Sequence, residues 1–139
     1  MQKQIIDFLQ SQHLLSLCVE GPYAASCFYV FDQTNLSLIF ASSKETFHMR
    51  QILKNSRVSG TIALCEKKIH KIQGVQFIGD VREAAQSERK QYFQAFPVAK
   101  AIESSYWAID LVWVKMTDNT LGFKTKIVWG VNPFEQDGL

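Results

Sequence analysis

Long apolar runs are missing from this 139-residue chain, and so is an excess of either charge. No stretch is apolar enough to span a bilayer, and the start, Met1-Gln2-Lys3-Gln4-Ile5-Ile6-Asp7, has no apolar leader core. A soluble cytoplasmic protein without a membrane partner is expected. Lys and Arg number 15 against 13 Asp and Glu. Nucleic-acid binders carry a clustered excess of base, so no such partner is expected. There are three cysteines, Cys18, Cys27 and Cys65, all in apolar runs. An odd count in such places speaks against a disulfide scaffold. Cys18 and Cys27 could face each other across a hairpin turned at Gly21-Pro22, as a redox pair or half of a metal site. Three buried thiols acting as small hydrophobes is the favoured reading. His13, His48 and His70 are scattered without metal-ligand spacing, and no metal site is expected. G-x-G-x-x-G, P-loop, zinc and nucleophile-elbow motifs are all absent. Asp80 and Glu83 fall on opposite faces of one strand, a poor geometry for a shared catalytic site. No catalytic residue is assigned, and an enzyme built this way takes its reactivity from a cofactor.

What the chain has in surplus is aromatic surface: ten Phe, four Tyr and three Trp. Hydrophobic residues make up 47%, enough for a core. Periodicity predicts an amphipathic helix over 2–12, with Ile5, Phe8 and Leu9 on one face, and strands at 14–20, 24–31 and 36–41. Ser42-Ser43-Lys44-Glu45 has the form of a capping box before a helix at 45–54. A strand at 57–64 and a long strand at 71–83 follow, and Gly79 in the latter suggests a bulge or close backbone approach. Ser87 is the expected cap of a helix carrying Tyr92, Phe93 and Phe96, which Pro97 stops. Residues 98–103 read as a further helical turn, and strands at 106–116 and 121–129 close the chain. About seven strands, mostly joined by hairpins, with two or three short helices predict one domain over 1–139. Its class is mainly β, as a small antiparallel barrel.

The strongest local candidate for binding is the start of the second helix. Ser42, Ser43 and the following N–H groups, with Lys44 beside them, could hold a phosphate, and His48 could add a donor. An ordinary cap with a solvated lysine explains the same residues and is locally the commoner case. Lys124 and Lys126 beside Trp129 could form a basic, stacking wall, or simply the wet side of an edge strand.

The order of elements resembles the FMN-binding split barrel of the pyridoxamine 5'-phosphate oxidase-like flavoproteins. The likeness is carried first by Leu38-Ile39-Phe40-Ala41-Ser42, Thr46-Phe47-His48-Met49-Arg50-Gln51-Ile52 and Asn55-Ser56-Arg57-Val58. There the family has a strand ending in a hydroxyl, Ser-Arg-Lys, a helix, and Asn-Pro-Arg-Val. Gln73-Gly74-Val75-Gln76-Phe77-Ile78-Gly79-Asp80 resembles the family's long strand. Cys27-Phe28-Tyr29-Val30-Phe31-Asp32, Phe96-Pro97-Val98-Ala99-Lys100-Ala101 and 115–123 are similar to strings of the YhbP-type bacterial family, for which no substrate is known.

The resemblance implies FMN as cofactor, an antiparallel split β-barrel and a homodimer with flavin between subunits. It places Ser26, Cys27 and Phe28 beside the isoalloxazine, and Ala41, Ser42, Ser43, Lys44, Thr46 and His48 near ribityl and phosphate. An amide from the Gln73 to Gln76 segment would contact the ring; Trp129 is a stacking candidate from the local reading alone. Phe47 and His48 stand where the family has Arg-Lys, so a bidentate phosphate contact is lost. The arginine-rich tail of the true oxidases is not visible, so that activity is not expected. Phe28, Phe47, Trp113 and Trp129 are the candidates for a two-fold interface. Three functional readings stand open. One is a flavin-dependent oxidoreductase using NADH or NADPH. The second is a non-enzymatic binder of flavin, haem or another planar ligand. The third is a barrel whose pocket has decayed to an interaction role.

Overall fold

Alternating apolar and polar residues build seven strands, and the barrel forms because one face of each strand is apolar. The computed structural model describes residues 1–135. Among them are β1 (Leu14–Val19), β2 (Tyr23–Asp32), β3 (Ser37–Ala41), β4 (Arg57–Ala63), β5 (Gln73–Glu83), β6 (Tyr106–Asp118) and β7 (Lys126–Gly130). The helices are α1 (Lys3–Ser11), α2 (Phe47–Lys54) and α3 (Gln86–Ala95). No helix is long and apolar enough to cross a membrane among the described residues.

The strand order is β3-β2-β1-β4-β5-β6-β7, all antiparallel, and β3 also pairs with β6. Six strands therefore close on themselves and β7 lies outside the ring. The split is made by β6. One of its edges follows β5, while the other is shared: residues 106–110 pair with β3 and 113–117 with β7. At the divide Val112 is an extra residue, because Ile78 pairs with Trp113 and Gly79 with Leu111. Gly79 is required there, since a Cβ would sit 2.6 Å from the Asp110 carbonyl oxygen. Both expectations for this glycine hold.

The barrel interior is filled by its own side chains. Leu17, Tyr29, Phe40, Phe77, Ile62 and Ile109 are all at most 1% exposed. Each such burial contributes about 1.5–3 kcal/mol before entropy is counted. The apolar stripe Ile5, Phe8 and Leu9 of α1 closes one end, and the Tyr29 hydroxyl donates to the Leu9 carbonyl at 2.7 Å. Helix α3 packs on the outer surface through Tyr92, Phe93 and Phe96 against Tyr106 and Ile39. It is held there by Arg82, whose guanidinium donates to both oxygens of Glu88 (2.7 and 2.8 Å) and of Asp110 (2.8 and 3.1 Å).

Five local expectations are corrected. Helix α2 starts at Phe47 and its cap is Thr46, whose hydroxyl accepts from the Met49 N–H at 3.2 Å; Ser42 caps nothing. Helix α3 starts at Gln86, ahead of Ser87, and Glu88 reaches back to accept from the Ala85 N–H at 2.8 Å. The final strand is five residues long, because Asp118 and Asn119 fold 119–125 into a turn in which Lys124 has φ +62°. Cys18 and Cys27 are not cross-strand partners: Cys18 faces Ala24, and Cys27 faces Leu15. Nor are all three thiols buried. Cys27 is, Cys18 is half-buried and Cys65 is exposed.

Candidate functional site

Strand alternation that fills the barrel also writes a pattern on its outside. The register aligns Ser26, Ser16, Thr61, Gln76 and Lys115 in one row across five strands. Ala24, Cys18, Ser59, Ile78 and Trp113 form the next. Small side chains in the middle of both rows leave a hollow between larger ones at the β6 side. Gly60 lies at its floor, where a Cβ would meet the Ser16 carbonyl oxygen and the Phe77 ring at 2.3 Å each. Asn132 and Phe134, after β7, add a further wall. The resulting cavity holds about 520 Å³. Small-molecule sites run from about 300 to 1,000 Å³.

The electrostatics of this face are unusual in one respect. Its hydroxyls, the Gln76 amide and the Lys115 ammonium form no side-chain hydrogen bond with the described residues. Groups in reach of water lose little by that. Trp113 is different: it is 5% exposed, and its indole N–H is buried without an acceptor among the described residues. A buried donor of this kind costs free energy.

The residues singled out from sequence divide into three groups. Gln76 lines the cavity, Ser26 continues its row, and Phe28 lies further along the same outer face, stacked at 6.1 Å on His13 and packed on Phe96. A second group gathers at the start of α2. Ser42 Oγ and His48 Nε2 are 2.7 Å apart, and Thr46 Oγ1 is 3.3 Å from the same nitrogen. Ala41 leads into this corner, the Ser42 carbonyl accepts from Trp107 Nε1 at 2.9 Å, and Ser43 is bonded to Glu45. The Thr46 hydroxyl also donates to the Ser43 carbonyl at 2.9 Å, so it is committed to the cap. Burial pushes the His48 imidazole below its usual value, which favours the neutral ring. Lys44 is exposed and in no ion pair among the described residues.

The remaining candidates lie apart. Cys27 points into the barrel, where burial pushes its thiol up to about 11. The Gln73 amide donates to Asp118 at 3.2 Å, in a separate groove beside α1. Trp129 sits opposite Val114 and packs on the core. Lys126 donates to the Thr117 hydroxyl at 2.8 Å. Of the aromatic residues expected at an interface, Phe28 and Phe47 are exposed, whereas Trp113 is buried in its own chain and Trp129 packs against its own barrel.

No family model matches the chain. Its relatives are clearer. It is 40% identical over 129 residues to a UPF0306 protein of Yersinia pseudotuberculosis, covering 88% of each chain. It is 42% identical over 135 residues to a UPF0306 protein of Serratia proteamaculans, covering 92% of this chain and 94% of the relative. The chain belongs to the UPF0306 family. Solved structures share the fold of this UPF0306 chain at low identity. A heme binding protein of Mycobacterium smegmatis superposes with a TM-score of 0.72 at 18% identity, over 86% of this chain and 53% of that one. HutZ, the heme storage protein of Vibrio cholerae, gives 0.65 at 14%, over 79% and 89%. An FAD-binding protein of Mesorhizobium loti gives 0.65 at 16%, over 84% and 94%. The split-barrel expectation is thereby met.

Sequence reasoning missed Ser16, Cys18, Ser59, Thr61, Trp113, Lys115 and Asn132 as cavity residues. The signal was present in part. The alternation of β4 and β5 marks Ser59, Thr61, Gln76 and Ile78 as one face, but joining them needs the cross-strand register, which no local pattern supplies.

Proposed function

We propose that this protein binds a planar heteroaromatic cofactor, FMN, against the outer face of its barrel and serves as a flavin-dependent oxidoreductase. The observation that carries the proposal is a cavity of about 520 Å³ on the outer face, whose wall sets Ser16, Thr61, Gln76 and Lys115 in one row. The residues fit such a ring. Ile78, Ala24 and Phe134 offer apolar contact, and Ser16, Thr61, Gln76 and Lys115 offer polar partners along one row. Heme and FAD among the ligands of proteins with the same fold support a planar ligand. The fit at the phosphate is looser: Lys44 is the free cation of the Ser42–His48 corner, and the Ser42 hydroxyl and His48 share one hydrogen bond.

When bound, the flavin supplies hydride and electron transfer. The chain itself does the holding. Ser42, Lys44 and His48 orient the phosphate, the row from Ser26 to Lys115 supports the ring, and the Asn132–Phe134 segment keeps water from one side. A homodimer with flavin at its edge fits the exposure of Phe28 (54%) and Phe47 (40%). NADH or NADPH is the reductant of this reading. The test is an FMN titration followed by NADH or NADPH addition. Binding with bleaching of the flavin band is the expected result. Binding without reduction would favour a carrier or sensor, and no binding would overturn the reading.

A further inference from the structure

We propose that the groove between α3 and the turn after it is a second ligand site, for a nucleotide carrying two or more phosphate charges. It shares no lining residue with the cavity on the outer sheet face, and it does not depend on the flavin reading. The sequence of α3 builds it. Gln86, Arg89, Lys90, Phe93 and Gln94 recur at helical spacing and so form one stripe along the helix. Tyr92 and Glu88 are buried instead. Glu88 is the one carboxylate of α3, and it is spent on Arg82, with bonds of 2.7 and 2.8 Å. Pro97 ends the helix and opens a 3₁₀ turn, Pro97–Ala101, which brings Lys100 to the groove.

Burying its acid leaves the helix with an uncompensated positive face. Three cations and no carboxylate line the groove. Arg89, Lys90 and Lys100 are in no ion pair among the described residues. The three charges exceed the net charge of the whole chain, +2. Like charges gathered in a concavity focus a field that draws a multiply charged anion. An Arg fork suits a phosphate, and the two ammonium groups add point charges beside it. A ring is also provided for. Phe93 is half-buried, held edge-on by Tyr106 at 5.1 Å between centroids, and Lys100 Nζ lies 5.9 Å from its centroid. Cation and aromatic surface thus fall within the span of one nucleotide. The amides of Gln86 and Gln94 both donate and accept, as the edge of a base requires. The groove holds about 580 Å³, within the range of small-molecule sites.

The test is calorimetric titration of wild type with ADP, pyrophosphate and adenosine, and of an Arg89→Gln, Lys100→Gln double variant with ADP and FMN. Both replaced side chains are exposed, so the fold should be kept. ADP is expected to bind wild type at least tenfold more tightly than pyrophosphate or adenosine, because it uses both the cations and the ring. The double variant should weaken ADP at least tenfold and leave FMN affinity unchanged. ADP bound no more tightly than pyrophosphate marks a general anion surface and overturns the inference, as does the absence of ADP binding. Equal ADP affinity in the folded variant overturns it too, and FMN weakened in step with ADP would merge the two sites and do the same. Where the variant fails to fold, the ranking of the three ligands on wild type decides.

Discussion

Two polar regions of the barrel surface differ in how their groups are spent. Under α3, Arg82, Glu88, Asp110 and Ser37 use one another fully: five bonds of 2.6–3.1 Å leave the fully buried Glu88 carboxylate paired. Across β1, β4, β5 and β6, by contrast, Ser16, Thr61, Gln76, Lys115 and the buried Trp113 N–H have no side-chain partners among the described residues. The first region is closed and holds a helix. The second is open and lines a cavity. Polar composition alone would not tell them apart; satisfaction does.

The comparison breaks or sharpens at five points. The largest effect is expected from Arg82→Ala, which strands Glu88. It should cost on the order of 2–3 kcal/mol in denaturant unfolding, at the low end for a broken buried pair because Arg82 is partly exposed. Ligand affinity should not change. Gly60→Ala comes next. Its Cβ would press on the Ser16 backbone and the Phe77 ring, so a loss of about 2 kcal/mol is expected together with weaker flavin binding. A stable Gly60→Ala protein with full affinity would separate the floor of the cavity from its function.

Acid should then act on the closed region. The Arg82 hydrogen bond holds Glu88 below the usual carboxylate range, against its burial. Burial raises Asp110, but hydrogen bonds from Arg82 and Ser37 outweigh it, so it too lies low. Carboxyls held low in the folded state stabilise fully above their unfolded values, and the contribution is lost as pH falls through the folded ones. The stability gap between wild type and Arg82→Ala should therefore narrow below about pH 4. A gap constant to pH 2 in acid titrations of unfolding would contradict the pairing. Thr46→Ala should remove a helix cap at about 1 kcal/mol and leave riboflavin affinity unchanged. The smallest effect is at the phosphate end: Lys44→Ala should weaken FMN about threefold and riboflavin not at all. His48 should add to that difference only as acid charges its imidazole.

Much of the barrel was legible because burial imposes alternation, and β5 shows it. Val75, Phe77 and Val81 fall on one parity of its sequence, and all three are buried in the core. The helix starts were less legible, since Ser42-Ser43-Lys44-Glu45 and Thr46 both offer caps within five residues, and tertiary bonds chose between them. Trp107 takes the Ser42 carbonyl and His48 takes its hydroxyl, which leaves Thr46 to cap. The last strand was read too long because nothing local shows that Asp118 and Asn119 fold their side chains back over the next turn. Of the outer row, Ser26 and Gln76 were named from sequence. Its middle was not, because Ser16, Ser59 and Thr61 gain meaning only from the pairing of distant strands.

The most direct test of the central claim uses Cys18, which lines the cavity. In a Cys65→Ser protein, with Cys27 buried, Cys18 is the thiol that a maleimide can reach. The account predicts that saturating FMN slows modification of Cys18 by at least tenfold. Modification at the same rate with FMN bound would put the ligand elsewhere and contradict the account.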